Sequence, residues 1–349
     1  MAEKALAIDI GGSKLLTAIA ELERSNEPTR KATARLLGIS KRALGKDSGK
    51  EGVWSALTSA VDETLAKVGD VWSEISSIGA TIPGVADPSK GLWVYAPFSG
   101  ISDYPIGDLL RERYGRPVRA DNDVNACAWA EKVFGVCAEV DNFLWITISN
   151  GIGGGLVLNG RVFPGKFAGA AEIGHFNVEE NGALCGCGNR GCLEATAAGP
   201  AIARTYRETL AALAEGRCDD SELVAQWSAY RTGLGKASQG SGKDRETEPT
   251  AATIAEEARL GNPVAISVYR KVGKCVGRAA SWAANLVNPE KIVIGGGVAG
   301  AFDLFYPSLW NALQKGLFKS ANKTLTVEKT GLGYEAGLMG ATAVAAVPY

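Results

Sequence analysis

A unit of two apolar runs joined by a glycine-containing turn occurs twice in this chain of 349 residues. The first copy, ALAIDIGGSKLLTAIAEL, covers residues 5–22, and the second, NFLWITISNGIGGGLVLNGRVF, covers residues 142–163. Each turn also contains a small polar residue, and the whole pattern predicts a hairpin of two strands. Because the copies stand about one domain apart, they predict a duplicated fold whose two turns face one cleft.

Segments with helical spacing alternate with strand-like runs along the chain, which indicates an α/β fold. We expect two domains, one over residues 1–119 and a larger one over residues 120–334. An Ala-rich helix within residues 335–349 is expected to pack back on the first domain. The polar, Gly- and Ser-rich stretch 232–250 predicts a mobile surface insertion in the second domain.

Charge and hydropathy exclude several classes of protein. The chain has 37 Lys and Arg against 38 Asp and Glu, so it lacks the basic excess of proteins that bind nucleic acid or acidic membranes. Its apolar runs, such as LWITI at 144–148, are much shorter than a membrane span. The N-terminus enters a strand-like run without the layout of a signal peptide, so we expect a cytoplasmic protein.

One segment, EIGHFNVEENGALCGCGNRGCLE at residues 172–194, holds three of the seven cysteines and the only histidine. Clustered cysteines in a cytoplasmic protein favour a metal site over disulfides. One histidine and three cysteines form the closed tetrahedral set of a structural zinc site, whereas a catalytic zinc keeps one open position. The spacing of His175, Cys185, Cys187 and Cys192 therefore predicts a structural zinc ion, and the alternative is three unrelated thiols near a histidine.

Two carboxylates, Glu172 and Glu194, bracket this segment. A zinc loop would fix the directions of both side chains. Carboxylate oxygens accept charge-assisted hydrogen bonds, which suits them to bind sugar hydroxyls. The alternative is a pair of solvated surface residues.

The turn GGSK at residues 11–14 follows Asp9 at the end of a strand. Glycines let backbone N–H groups approach an anion, and Asp9 could hold a magnesium ion through water. A lone turn of this kind would be a plain hairpin turn. The second turn, at 149–155, favours a phosphate chain held from both sides.

Two other polar or glycine-rich sites follow predicted strands. Asp121-Asn122-Asp123 stands where ligands bind in open α/β sheets, and an Asn beside an Asp there could bind a hydroxyl and accept its proton. The alternative is a turn or helix cap, and Asp123 would be a good N-cap for a helix beginning at 124. GGGVAG at 295–300 predicts either a strand-to-helix turn or a turn that packs against a nucleotide base or ribose.

Taken together, these motifs closely resemble those of the ROK family, which comprises bacterial-type sugar kinases and related repressors on the actin-like (ribonuclease H-like) ATPase fold. The resemblance covers nearly the whole chain, and the cysteine segment is the family signature. The ordered motifs are LAIDIGGSK (6–14), PGVAD (83–87), DNDVNA (121–126), SNGIGGG (149–155), EIGH with CGCGNRGCLE (172–194) and NPEKIVIGGGV (288–298).

The resemblance implies roles for individual residues. Phosphate and magnesium contacts are implied for Asp9, Gly11, Gly12, Ser13, Lys14, Asn150, Gly151 and Gly153, and adenosine contacts for Gly295, Gly296 and Gly297. Sugar contacts are implied for Gly84, Asn122, Glu172, His175 and Glu194, with Asp123 as the catalytic base. Zinc ligands are implied at His175, Cys185, Cys187 and Cys192.

The implied activity is ATP-dependent phosphorylation of a hexose hydroxyl, first of glucose to glucose 6-phosphate, with structural zinc and Mg-ATP. Alternatives are an N-acetylglucosamine or N-acetylmannosamine kinase, a fructokinase, or a catalytically idle sugar sensor. The expected partners are a sugar and ATP, with neither nucleic acid nor membrane, in a homodimer or homotetramer. Repressors of the family carry an N-terminal DNA-binding domain, and the hairpin that begins at residue 5 favours the enzymes.

This chain departs from the family pattern at three places. Members often have Thr at Asn150, Gly at Ala171, and Pro-Asn where this chain has Pro97-Phe98. The first change keeps a polar side chain beside the phosphates. The other two fall near the expected sugar side, which leaves the identity of the sugar open.

Overall fold

The computed structural model describes residues 3–23, 32–45, 48–96, 99–237 and 248–347. Pro97 and Phe98 lie outside the described residues. None of the helices in these ranges is both long and apolar enough to cross a membrane. The described chain forms two five-stranded sheets and one three-stranded sheet, with helices packed on them.

The first sheet is built on the predicted N-terminal hairpin. Strands β1 and β2 pair antiparallel and β3 continues the meander, whereas β4 and β8 run parallel to β1, in the order β3-β2-β1-β4-β8. These strands are β1 (Glu3–Ile10), β2 (Lys14–Glu23), β3 (Thr33–Ala43), β4 (Ile75–Ile82) and β8 (Val118–Asn122). The apolar runs of β1 and β2 are buried almost throughout, as expected for strands covered on both faces.

The second sheet repeats this arrangement in the order β11-β10-β9-β12-β13. Here β9 and β10 form the second hairpin, β11 continues the meander, and β12 and β13 run parallel to β9. The strands are β9 (Phe143–Ile148), β10 (Ile152–Leu158), β11 (Arg161–Val162), β12 (Lys291–Gly295) and β13 (Thr326–Lys329). Each sheet thus has a three-stranded meander followed by two parallel strands, which confirms the duplicated α/β architecture.

A small antiparallel sheet and ten helices complete the described chain. The small sheet holds β5 (Val85–Asp87), β6 (Leu92–Ala96) and β7 (Ile101–Tyr104). The helices are α1 (Gly49–Val68), α2 (Ile106–Tyr114), α3 (Asp123–Val133), α4 (Leu193–Ala197), α5 (Gly199–Ala214), α6 (Ser221–Ala237), α7 (Ala251–Arg259), α8 (Pro263–Val287), α9 (Phe302–Gly316) and α10 (Ala336–Ala346). The stretch 232–250, expected to be an insertion, begins inside α6, and its residues 238–247 lie outside the described residues.

Helix α10 leaves the second sheet after β13 and packs on the first. Its Leu338 and Ala341 share a buried cluster with Ala7 of β1. A Cβ atom on Gly79 of β4 would lie 1.9 Å from the carbonyl oxygen of Ala341, so the helix backbone touches the sheet directly. On its other side α10 packs against α3, where a Cβ on Gly340 would lie 3.0 Å from the Ala126 backbone. The helix is therefore wedged between the first sheet and α3.

Candidate active site

Strand β8 ends at Asn122, and α3 begins at Asp123. The Asn122 side-chain oxygen accepts hydrogen bonds from the N–H groups of Val124 and Asn125, at 2.9 and 3.1 Å. Asn122 is thus the N-cap, and the expectation that Asp123 caps this helix is wrong. Asn122 has the extended ψ of 139° that a cap needs, while Asp123 already lies in the first helical turn.

The side-chain amide nitrogen of Asn122 connects the end of β8 to the residue before β5 of the small sheet. This nitrogen donates to the carbonyl oxygen of Gly84 at 2.7 Å and to Oδ1 of Asp123 at 3.1 Å. Gly84 has φ +83°, and a Cβ there would lie 2.5 Å from the Tyr95 carbonyl oxygen, so only glycine fits. The structure therefore brings Gly84, Asn122 and Asp123 together. The sugar contacts of Gly84 and Asn122 and the catalytic role of Asp123 stay predictions.

Two carboxyl groups meet where the first hairpin faces α3. The Thr81 hydroxyl donates to Oδ1 of Asp9 at 2.7 Å, yet burial raises the pKa of Asp9. Burial, followed by the negative charge of Asp9, raises the pKa of Asp123 to about 7. A cation near these two carboxyl groups would relieve their repulsion. Carboxylate oxygens are also ligands that suit a magnesium ion.

A third carboxyl group, that of Asp121, lies beneath this pair. Only 1% of the residue is exposed, and burial raises its pKa to about 7. Its Oδ1 accepts the Asn122 backbone N–H at 2.6 Å, while its Oδ2 is buried without a hydrogen-bond partner among the described residues. Asp121 thus accepts a backbone hydrogen bond at the strand end, whereas Asp123 experiences the negative charge of Asp9.

The first glycine turn carries exposed Gly12 and Ser13 at its tip. The turn is closed by a hydrogen bond from Gly11 N–H to the Lys14 carbonyl oxygen, at 2.8 Å. The Lys14 ammonium donates to the Tyr334 hydroxyl at 2.7 Å and lies 4.0 Å from the centre of its ring. Tyr334 belongs to the 3-10 turn between β13 and α10, so this contact joins the two halves of the chain.

The first turn of α10 closes against Asp9. A Cβ atom on Gly337 would lie 2.3 to 2.5 Å from all three atoms of the Asp9 carboxylate. No side chain fits between this helix and Asp9, so Gly337 is required for the approach. The positive end of the helix dipole also faces the carboxylate, which favours negative charge there.

The second glycine turn stands on the other side of α3. Ser149 and Asn150 are exposed at its tip, and the Ser149 N–H donates to the Gly151 carbonyl oxygen at 2.9 Å. A Cβ on Gly153 would lie 3.0 Å from the Val124 side chain, so the glycine allows α3 to pack on β10. Helix α3, with Asp123 at its start, therefore packs on the second hairpin, while Asp123 interacts electrostatically with Asp9 of the first.

The third glycine run ends β12 beside this second turn. Gly295 is packed against the Trp145 ring, 2.2 Å from where its Cβ would be, and Gly296 has φ +83°. A Cβ on Gly297 would lie 3.8 Å from the Ser149 hydroxyl oxygen. Gly295 and Gly296 thus have packing and turn roles, and Gly297 is the member of the run that faces the second turn.

A cavity of about 170 Å³ opens next to Gly297. The sequence did not identify most of the residues that line this cavity. Helix α7, which supplies half of them, is distant in sequence from the glycine run and contributes mainly alanines, which carry no functional group. The Arg259 guanidinium at its edge is held by Asp303 at 2.8 Å. The lining comprises Ala251, Ala252, Ala255, Glu256, Arg259, Tyr269, Gly297, Val298, Gly300 and Ala301. Its position fits the predicted packing of a nucleotide base or ribose.

The predicted zinc ligands converge. The four ligand atoms of His175, Cys185, Cys187 and Cys192 all lie within 4.8 Å of one another. The Cys185 sulfur lies 3.7 Å from His175 Nδ1, and the Cys187 and Cys192 sulfurs lie 3.7 Å apart. Tetrahedral zinc with Zn–S bonds of about 2.3 Å would separate two thiolates by about 3.8 Å. The donor set and its spacing therefore fit one tetrahedral zinc ion.

The two carboxylates beside this cluster face different ways. Glu172 is exposed and lies with its Oε2 3.9 Å from His175 Nε2, the ring nitrogen that is turned away from the thiols. Burial is the main cause that raises the pKa of Glu172. Glu194 instead accepts the Ile152 N–H on its Oε2 at 2.9 Å, within the second hairpin. The three residues Glu172, His175 and Glu194 nevertheless all adjoin the same cluster. Their predicted sugar contacts stay predictions.

Ala171, one of the departures from the family pattern, has a left-handed backbone with φ +62°. This conformation costs an L-residue about 1–2 kcal/mol. A glycine at this position would avoid that cost. The departure therefore concerns the backbone next to Glu172 and adds no polar group to the site.

Comparison with known proteins identifies the family. The sequence model of the ROK family matches residues 5–347, and the chain belongs to this family. A glucokinase of Thermotoga maritima is 29% identical over 342 residues, which cover 98% of this chain and 96% of that protein.

Two solved structures share the fold. A ROK family glucokinase from Streptomyces griseus, in complex with glucose and AMPPNP, is 29% identical with a TM-score of 0.75, over 98% of this chain and 99% of that one. A ROK family transcriptional regulator, a homolog of the E. coli MLC protein, is 26% identical with a TM-score of 0.76. That match covers 98% of this chain and 77% of the regulator, so the shared fold serves both enzymes and regulators.

Proposed function

We propose that this protein is an ATP-dependent sugar kinase that phosphorylates a hexose hydroxyl, with glucose as its first substrate. The observation that carries the proposal is the Asp123 carboxyl group in the first turn of α3, whose pKa is raised to about 7 by burial and by the negative charge of Asp9. A general base is most effective when its pKa lies near the working pH. Similarity to glucokinases along the whole chain supports the same function.

In the proposed reaction, the Asp123 carboxylate accepts the proton of the attacking sugar hydroxyl. The hydroxyl oxygen bonds to the γ-phosphorus of ATP as the bond from that phosphorus to the β–γ bridging oxygen breaks, which releases ADP. Asn122 holds Asp123 in place, and Gly84, Glu172, His175 and Glu194 orient the sugar. Magnesium held near Asp9 would neutralise phosphate charge when bound.

The nucleotide is proposed to lie across both hairpins, with its phosphates on exposed backbone and its base in the cavity beside Gly297. Phosphoryl transfer depends mainly on positioning and charge neutralisation, which N–H groups of such turns and a cation supply. The phosphate contacts proposed are Gly11, Gly12, Ser13, Lys14, Asn150, Gly151 and Gly153. We place the domain division at residues 119 and 120, on strand β8, which ends at Asn122 just before Asp123. The two-sheet architecture is consistent with an actin-like ATPase fold.

A panel of sugars tests the function. ADP release is measured with glucose, N-acetylglucosamine, N-acetylmannosamine and fructose, and we expect the highest kcat/KM with glucose. A higher value with another sugar would reassign the substrate within the family. Measurable sugar binding without ADP release from any sugar would favour a sugar sensor, a class suggested by the similarity to the ROK regulator.

Cys187→Ser tests the structural role proposed for zinc. The exposed Cys187 is one of four converging ligand atoms, so its loss should remove the metal and loosen the loop that carries Glu172 and His175. We expect metal content near zero and sugar affinity at least about tenfold weaker, because residues that orient a site typically contribute 10- to 100-fold. Elemental analysis and titration calorimetry measure these two quantities.

Cys218→Ser is the matched control, since Cys218 is a free cysteine outside the cluster. It should keep both zinc and sugar affinity. Normal sugar affinity in zinc-free Cys187→Ser protein would contradict the proposed structural role of zinc.

The pH dependence of kcat/KM should reveal the pKa of the proposed general base, Asp123. Asp123 must be deprotonated to accept a proton, and its pKa in the free protein is raised to about 7. We therefore expect kcat/KM, measured with both substrates below their KM, to fall about tenfold per pH unit below pH 7. Asp121→Asn removes the other acid with a pKa of about 7 and should keep this limb. If the acidic limb disappears in Asp121→Asn, the limb reports the titration of Asp121 and not of Asp123.

A further inference from the structure

Three contacts converge on residues 149–152 of the second glycine turn, and two of them come from residues next to the metal ligands. Glu194 Oε2 accepts the Ile152 N–H at 2.9 Å. A Cβ on Gly174 would lie 1.9 Å from the Ile152 carbonyl oxygen, so the backbones are in direct contact. The Gly199 N–H donates to the Ser149 carbonyl oxygen at 2.8 Å.

These contacting residues are close neighbours of the metal cluster. Gly174 precedes His175 in the same 3-10 turn, and Glu194 stands two residues after Cys192, in α4. The other carboxylate oxygen of Glu194 lies 3.7 Å from the Cys185 sulfur. One carboxylate therefore spans the distance between a metal ligand and the backbone of the phosphate turn.

The turn itself has few means of holding its shape. Its single internal backbone hydrogen bond among the described contacts runs from Ser149 N–H to the Gly151 carbonyl oxygen. The pairing of Ile152 with Ile148 closes the base of the turn. Glycine loses more conformational freedom on ordering than any other residue, so contacts from outside the hairpin add to what orders Gly151. A Cβ on Gly151 would lie 2.5 Å from Glu194 Oε2, which shows how closely the carboxylate is fitted under the turn.

We propose that the metal loop serves the nucleotide as well as the sugar, with Glu194 as a positioning residue for the second phosphate turn. Glu194 and Gly174 hold Ile152 from its N–H and carbonyl sides, which fixes the backbone N–H groups that meet the phosphates. This inference rests on the proposed kinase function and deepens it. It assigns to zinc an influence on ATP affinity that exists without any sugar.

The test measures ADP and AMPPNP affinity by calorimetry in the absence of sugar, with magnesium present. Glu194→Ala removes the acceptor for the Ile152 N–H, and we expect affinity about tenfold weaker, as for a lost hydrogen bond to a charged group. Glu194→Gln keeps an oxygen acceptor and should stay within about threefold of the native affinity. Gly174→Ala, which forces a methyl group against Ile152, should weaken nucleotide binding as Glu194→Ala does.

Glu172→Ala is the matched control, because Glu172 lies beside the same cluster on its exposed side, facing His175. It should weaken sugar binding and leave nucleotide affinity unchanged. Removing zinc from the native protein with a chelator should weaken nucleotide binding, and adding zinc should restore it.

Native nucleotide affinity in Glu194→Ala would overturn the inference while leaving the kinase proposal intact. Equal weakening in Glu194→Gln and Glu194→Ala would also overturn it, because the hydrogen bond would then not be the cause. A native protein that binds sugar but no nucleotide would instead defeat the kinase function on which the inference rests.

Discussion

Asp123→Asn is expected to lower kcat by about 10³-fold while leaving sugar affinity within about threefold, because a positioned general base contributes 10²- to 10⁴-fold. Asparagine has nearly the same shape and cannot accept the proton. It keeps an oxygen for the Val124 N–H, which now donates to Asp123 Oδ1 at 3.0 Å. Steady-state ADP release gives kcat, and titration calorimetry gives the sugar affinity.

Asp121→Asn provides the comparison for this experiment. Asp121 is also a buried acid with a pKa of about 7, but its carboxyl group accepts hydrogen bonds from the Asn122 backbone N–H and the Asn125 side chain. Its asparagine variant keeps an oxygen acceptor, and its kcat should stay within about tenfold of the native value. Comparable kcat values in Asp123→Asn and the native protein would remove Asp123 from the reaction.

Gly337→Ala is expected to disturb the Asp9 carboxylate directly. The new Cβ would lie 2.3 Å from Asp9 Oδ2, so either the carboxylate or α10 must move. Overpacking of this kind costs about 1–3 kcal/mol of stability. A displacement of about 1 Å in a catalytic group can lower the rate about 10²-fold. We therefore expect kcat/KM for ATP to fall about 10²-fold and the unfolding midpoint to decrease.

Gly169→Ala is the control for the added methyl group, because nothing lies within 4 Å of the Cβ position there. Its kinetics and unfolding midpoint should match those of the native protein. Native kcat/KM in Gly337→Ala would show that the contact between α10 and Asp9 has no influence on the nucleotide site.

Local patterns were sufficient to predict the two hairpins, the helix that begins at Asp123 and the convergence of four candidate metal ligands. These features depend on short-range signals: alternating apolar strands around glycine turns, a polar strand end, and ligand spacing within 18 residues. The cap was assigned to Asp123 because both residues of the Asn122-Asp123 pair are good caps. The backbone conformation identifies Asn122 as the cap. A sequence does not specify where a helix begins to within one residue.

The sequence did not predict helix α9 or the contact between Lys14 and Tyr334, and each omission has a physical reason. Helix α9 contains Pro307, which usually ends a helix, but Phe305, Leu309 and Leu313 are buried in the core behind the second sheet. Tertiary packing there outweighs local propensity. The contact between Lys14 and Tyr334 joins residues 320 positions apart, and nothing in the local sequence around either residue signals it.

The position of α10 has a consequence for how the chain reaches its native state. Leu338 and Ala341 complete the buried cluster around Ala7, and Arg119 donates to the Ala345 carbonyl oxygen at 2.8 Å across 226 positions. The first sheet therefore cannot bury all of its apolar surface while the ribosome is still synthesising the second half of the chain. Contacts between such distant residues form late and slow folding. The half of the protein that is made first is expected to be the last to become fully ordered.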